Sequence, residues 1–185
     1  MFHVEQLKQK HMSKETLLSN LRTIPDFPTK GILFYDITTL LKNNACLSEL
    51  SDLLYQTYKD KGITKVVGIE SRGFILGAIL AARLNAGFVP IRKEGKLPAQ
   101  TLRESYGKEY GQDTIEIHAD AIGRDDVVLL HDDLLATGGT IKAACDLIRK
   151  LHPKKTYASF IIELRELGGK RLLGNDIEVD VVLSL

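Results

Sequence analysis

Residues 127–140, V-V-L-L-H-D-D-L-L-A-T-G-G-T, constrain this chain more than any other stretch. The first four are apolar, two of them β-branched, as in a strand buried on both faces of a parallel sheet. Asp132 and Asp133 stand at the expected end of that strand. A small, glycine-containing run, Ala136, Thr137, Gly138, Gly139 and Thr140, leads into a helical pattern. A helix N-terminus behind a glycine turn offers unpaired N–H groups and a positive dipole end, which suits a phosphate. Glycines let the backbone approach a ligand with no Cβ in the way. Carboxylates beside such a site suit sugar hydroxyls or a hydrated Mg²⁺. Two aspartates before a turn can also be plain solvated turn residues. The fixed order of strand, acidic pair, turn and helix favours a site for a phosphorylated sugar.

The rest of the chain supports an α/β reading. Ser13 is an expected N-cap for a helix over residues 14–23, stopped by Pro25 and Pro28. Residues 24–36 carry two prolines and several aromatics, an irregular segment suited to walling a flat heterocycle or to covering a core edge. A helix is expected over residues 47–61, and a buried strand over residues 65–69. That strand ends at Glu70, Ser71, Arg72 and Gly73, and a helix follows to about Leu84. Gly68 and Gly73 have the spacing of a nucleoside-triphosphate loop, but Phe74 stands where that motif needs lysine. A strand over residues 88–91 runs into Arg92, Lys93, Glu94, Gly95 and Lys96, three cations in five residues. Residues 97–113 are polar and aperiodic, as expected of a lid, with Glu104, Tyr106, Glu109 and Tyr110 as its chemical groups. Residues 114–118 alternate and should pair with part of that flap, His118 being a surface strand residue. Strand, short helix and strand are expected over residues 157–164, 166–173 and 179–183.

This alternation predicts a parallel twisted sheet with helices on both faces, joined by right-handed crossovers. The loops at the strands' C-terminal ends then share one edge. Glu70 to Gly73, Arg92 to Lys96, the acidic pair with its turn, and Leu164 should converge there. At 185 residues the chain is expected to be one domain. Its net charge of +1 gives no global field for nucleic acid. Cys46 and Cys145 are isolated, with Cys145 on the core face of a helix, which fits a reducing cytoplasm. The N-terminus has no signal-peptide core, and the longest apolar run, residues 74–82, is too short to span a bilayer.

Together these segments resemble the type I phosphoribosyltransferases, and within them the members that take adenine. The likeness rests on the acidic pair and glycine turn together with five further motifs: P-D-F-P-T-K-G-I-L-F-Y-D-I-T at residues 25–38, G-I-E-S-R-G-F at 68–74, I-R-K-E-G-K-L-P at 91–98, E-Y-G at 109–111 and I-E-L at 162–164. It implies a fold with an N-terminal hood (about residues 24–40) and a flexible β-flap (about 97–118). It implies Mg²⁺-dependent transfer of phosphoribosyl from 5-phosphoribosyl 1-diphosphate to adenine, in a cytoplasmic homodimer. By the same likeness, Ala136, Thr137, Gly138, Gly139 and Thr140 hold the 5′-phosphate. Asp132 and Asp133 meet the ribose hydroxyls and steady charge at C1′. Glu70, Ser71, Arg72, Arg92, Lys93 and Lys96 belong to the diphosphate side, with Mg²⁺ carried mainly by substrate and water. Leu33, Phe34 and Tyr35 form the purine hood with Leu164, and Glu109 handles a proton near adenine. Relatives that use hypoxanthine or guanine typically carry aspartate at the position of Ala136. Two residues depart from the pattern: Tyr35 replaces an expected arginine, and His131 an apolar residue. Activity on xanthine, orotate or a modified purine is one alternative. A non-catalytic sensor of phosphoribosyl diphosphate is another, disfavoured by the balanced charge and the lack of room for a DNA-binding domain.

Overall fold

A computed structural model of the chain describes residues 13–107 and 112–185. The chain divides into two compact units, Met1–Leu50 and Ser51–Leu185. In the first, α1 (Lys14–Asn20) is capped by Ser13, whose hydroxyl accepts from the Thr16 N–H at 3.2 Å. The helix stops three residues before the expected Thr23, because residues 22–25 pair elsewhere. They form β1 (Arg22–Pro25), antiparallel to β2 (Leu33–Asp36), with Thr23 opposite Tyr35 and Ile24 opposite Phe34. The segment expected to be irregular is therefore a hairpin. β-Branched and aromatic cross-strand neighbours favour it, and Pro25 sits at the strand's end, where a missing donor matters least. Asp36, largely buried, closes the hairpin by accepting from the Thr38 N–H at 2.9 Å and from the Arg22 guanidinium. Those bonds, Thr38 first and then Arg22, lower its pKa to about 2.

α2 (Thr38–Lys42) follows, and α3 (Asn44–Tyr58) then leads into the second unit. α3 starts earlier than expected because Asn43 caps it, its side-chain oxygen accepting from the Ala45 and Cys46 N–H groups at 3.0 and 3.3 Å. Cys46 and Cys145 are both fully buried free thiols, as the helical spacing predicted for Cys145.

The second unit is built on a seven-stranded sheet. Its elements are β3 (Lys65–Ile69), α4 (Gly73–Arg83), β4 (Gly87–Lys93), β5 (Thr101–Gly107), β6 (Gln112–His118), β7 (Val127–Leu135), α5 (Gly139–Lys150), β8 (Lys155–Glu163) and β9 (Glu178–Ser184). The strand order is β5-β6-β4-β3-β7-β8-β9. Five strands, β4-β3-β7-β8-β9, are parallel, and the flap hairpin β5-β6 adds an antiparallel edge through β4. The aperiodic stretch expected to be a lid holds β5, the first strand of the β-flap that the family likeness implied. Residues 166–173, expected to be a helix, form two 3-10 turns (Arg165–Leu167 and Gly169–Leu172) divided by Gly168 at φ +66°.

Topology fixes where a ligand can enter. The crossover from β3 to β4 runs one way along the sheet, and that from β7 to β8 runs the other. With right-handed connections, α4 and α5 therefore lie on opposite faces. β3 and β7 are neighbours, so their C-terminal ends flank the switch point, the preferred ligand crevice of an open α/β sheet. On one face Val67, Val128, Leu130 and Phe160 pack against Ile141, Ala144 and Ile148 of α5, which fixes the helix start beside that crevice.

Candidate active site at the sheet switch point

Two turns meet at the switch point, one after β3 and one after β7. Gly73, the first residue of α4, lies flat on β7: a Cβ there would stand 2.8 Å from the His131 carbonyl and 2.9 Å from an Asp132 carboxylate oxygen. The glycine spacing that suggested a triphosphate loop is a packing requirement instead. It brings Arg72 to the acidic pair, with Nε 2.9 Å from Asp133 Oδ2. The Glu70–Ser71 peptide is cis.

Asp132 and Asp133 do not end β7 as expected; the strand continues to Leu135. Neighbouring strand residues point to opposite faces, and the two carboxylates differ accordingly. Asp133 is 4% exposed and faces Arg72. Asp132 is half-buried and borders a cavity of about 100 Å³, lined also by Leu134 and residues 136–141. Burial, then the charge of Asp133, raises the Asp132 pKa well above the ordinary range. Burial also raises that of Asp133, and Arg72 opposes the shift. The pair holds one negative charge easily and a second at a cost that a nearby cation would offset.

Residues 136–140 form the floor of that cavity. Gly138, with φ +86°, turns the chain into α5, and the helix's first N–H groups border the cavity. Behind the turn lies Gly169, which sequence reasoning did not single out. A Cβ on Gly169 would meet the Ala136 carbonyl at 2.2 Å, and one on Gly138 would meet the Gly169 carbonyl at 2.6 Å. The turn is clamped glycine against glycine. The only signal in the chain was the Gly168-Gly169 pair itself.

The basic segment, which starts inside β4 at Arg92, is arranged differently from a row of exposed cations. Arg92 grips Glu70, with Nε to Oε2 at 3.2 Å and a terminal nitrogen to Oε1 at 3.0 Å, and the Lys93 N–H donates to Glu70 at 3.1 Å. The Arg92 bond, with the Lys93 N–H, holds the Glu70 pKa below its ordinary value. Lys93 and Lys96 are exposed beside this pair. Leu164 is half-buried just past β8, its N–H bonded to the Leu135 carbonyl at 2.9 Å. The second unit thus gathers Glu70 to Gly73, Arg92 to Lys96, the acidic pair, the glycine turn and Leu164 at one edge of its sheet.

The hood residues belong to the first unit. Leu33 is 46% exposed, Phe34 and Tyr35 are half-buried, and Phe34 meets Phe27 edge to face at 5.1 Å. Glu109 and Tyr110 lie outside the described residues. Of the other flap groups, Glu104 pairs with Lys150 and Tyr106 stands against Gly139. His118 is a strand residue whose ring Nε2 donates to the Pro98 carbonyl at 2.6 Å. His131 is fully buried, its Nδ1 2.8 Å from the Ser159 hydroxyl, and burial lowers its pKa to about 4.

A parallel sheet whose switch point carries an acidic pair and a glycine turn at a helix start is the frame of a phosphoribosyl-transfer fold. The family model for the phosphoribosyl transferase domain matches residues 36–167, and the chain belongs to that family. Within it, the chain is similar to proteins named adenine phosphoribosyltransferase. The adenine phosphoribosyltransferase of Bacteroides thetaiotaomicron is 68% identical over 174 residues, spanning 94% of this chain and 99% of that protein. The crystal structure of adenine phosphoribosyltransferase from Rhodothermus marinus matches with a TM-score of 0.87 at 51% identity, covering 93% of this chain and 98% of that one. The Giardia lamblia enzyme, complexed with 9-deazaadenine, matches with a TM-score of 0.89 at 43% identity, covering 94% and 98%.

Proposed function

We propose that this chain is an adenine phosphoribosyltransferase of purine salvage. It transfers the 5-phosphoribosyl group of 5-phosphoribosyl 1-diphosphate to adenine, forming AMP and releasing diphosphate. The observation that carries the reading is the acidic pair placed between the glycine turn and Arg72 at the switch point. The 68% identical relative of the same name and the Giardia enzyme's complex with an adenine analogue support adenine as the base.

In the transfer, the C1′–oxygen bond to diphosphate breaks and its electrons leave with diphosphate. N9 of adenine bonds to C1′, and adenine gives up one proton. The sugar gains positive charge on the way, so a nearby carboxylate is worth more in the transition state than in the ground state. We assign that role to Asp132 and Asp133, which also face the ribose hydroxyls, with Arg72 orienting Asp133. Ala136, Thr137, Gly138, Gly139 and Thr140 bind the 5′-phosphate through backbone N–H groups and the helix dipole. Glu70 and Ser71 shape the diphosphate side, where Arg92 and the exposed Lys93 and Lys96 balance its charge. Adenine is assigned to Leu33, Phe34, Tyr35 and Leu164, and its proton to Glu109. The small side chain of Ala136 suits a base that needs no carboxylate at that place.

Mg²⁺ fits this chain as a metal brought by the substrate. Mg²⁺ commonly binds through substrate phosphates and waters rather than through a cage of protein ligands. When bound, it neutralises charge on the departing diphosphate. We further propose a single phosphoribosyltransferase domain over residues 1–185, a homodimer, and a cytoplasmic setting. The two buried free thiols support the last; among the described residues no helix is long and apolar enough to cross a membrane.

The test is turnover. Purified protein with phosphoribosyl diphosphate and Mg²⁺ should make a nucleotide from adenine and not from hypoxanthine, guanine or xanthine. Product from another base alone would sink the assignment of the base, and binding of phosphoribosyl diphosphate without any product would point to a sensor.

A further inference from the structure

Glu116 lies in the middle of β6, outside every motif considered so far. It is 1% exposed, and its two oxygens hold two different segments. Oε1 accepts from the N–H groups of Lys96 and Leu97, each at 3.0 Å. Oε2 accepts from the Thr101 hydroxyl at 3.2 Å and lies 3.3 Å from Arg103 Nε. Burial alone would raise its pKa, but the bonds from Leu97, Thr101 and Lys96, with the charge of Arg103, hold it below the ordinary value. Glu116 is therefore a buried anion with four donors, a costly arrangement unless every donor is in place.

The segment gripped by Oε1 is the basic loop. Its Lys96 carbonyl accepts from Arg92 at 3.1 Å, and Arg92 in turn holds Glu70. The segment gripped by Oε2 is the first flap strand. A continuous chain of polar contacts thus runs from the Glu70 turn through Arg92, Lys96 and Glu116 to the base of the flap.

We propose that Glu116 is a positioning residue that sets the cationic loop at residues 92–96 against the base of the flap, so that the loop meets the substrate's diphosphate preformed. It acts through Lys96 and Arg92 and touches no substrate itself. The inference rests on the assignment of that loop to diphosphate.

Glu116→Gln keeps the side chain's shape and removes its charge. The expected result is a KM for phosphoribosyl diphosphate raised about tenfold, as for loss of a charged acceptor. The dissociation constant of the Mg²⁺ complex of phosphoribosyl diphosphate, measured by calorimetry, should rise equally. kcat and the KM for adenine should stay within about twofold. Thr101→Val, which removes one donor, should give the same pattern at about two- to threefold, and it decides the matter if Glu116→Gln does not fold. Unchanged binding of phosphoribosyl diphosphate in either folded variant overturns the proposal. So does a parallel loss in kcat and both KM values, the mark of general disruption. Wild-type protein that binds phosphoribosyl diphosphate but makes no AMP would refute the assigned activity alone, and calorimetry would still decide the role of Glu116. Wild-type protein that does not bind it refutes both.

Discussion

Asp133 and Arg72 face each other at 2.9 Å where little water reaches. Asp133→Asn leaves the shape and removes the charge that opposes Arg72 and the developing sugar cation. kcat/KM for AMP formation should fall about a hundredfold or more, with the circular dichroism spectrum unchanged. His131 yields a pH effect. Its pKa is lowered to about 4 in the folded chain, against about 6.5 unfolded. Between those values the unfolded state binds the extra proton, so stability rises with pH across the window and is lost as pH falls from about 6.5 towards 4. The full effect is about 3 kcal/mol. Urea titrations should show that slope in the wild type and a flatter one in His131→Leu. At this scale residue types were easier to read than partners. The acidic pair was evident as chemistry, but its contact with Arg72 was not. Arg92 likewise grips Glu70. Such pairings depend on strand neighbours distant in the chain, which no local pattern encodes. Glu116 gave no signal at all, since it sits between two isoleucines in a strand buried on both faces.

Among the elements, the glycine turn is held by close approach more than by bonds. Gly169→Ala would drive a methyl group into the Ala136 carbonyl. The cost should be about 2–3 kcal/mol, a drop of roughly 5–10 °C in Tm, with a raised KM for phosphoribosyl diphosphate because the turn itself must shift. Gly174→Ala instead places a side chain at positive φ, at +82°, away from the turn. It should destabilise without moving that KM, and thermal melts with steady-state kinetics separate the two. Strands β3, β4, β7, β8 and β9 and helices α4 and α5 were legible, because buried apolar runs and helical periodicity are strong local signals. The β1–β2 hairpin was not, since its prolines outweighed its cross-strand pairs, and β5 was legible only through the family likeness because its polar residues hide the alternation.

For the molecule as a whole, the switch point explains why one edge carries the chemistry; the shared edge was predictable from the alternation of strands and helices, but the strand order that makes β3 and β7 neighbours was not. Binding there should stabilise the fold: Mg²⁺ and phosphoribosyl diphosphate at about a hundred times Kd add about 2.7 kcal/mol, roughly 5–10 °C in Tm. Asp133→Asn should shrink that shift. α5 carries a further consequence. Its last residue, Lys150, holds the Arg103 carbonyl and Glu104 of β5, and its first, Gly139, abuts Tyr106. The helix is a ruler laid along the flap, with the phosphate turn at its zero mark. Deleting one helical turn would slide the scale by about 5.4 Å, more than the roughly 4.8 Å between neighbouring strands. Strand β5 would then stand over the wrong graduation. Helix and flap are bound to a common length, and either can grow or shrink only in step with the other.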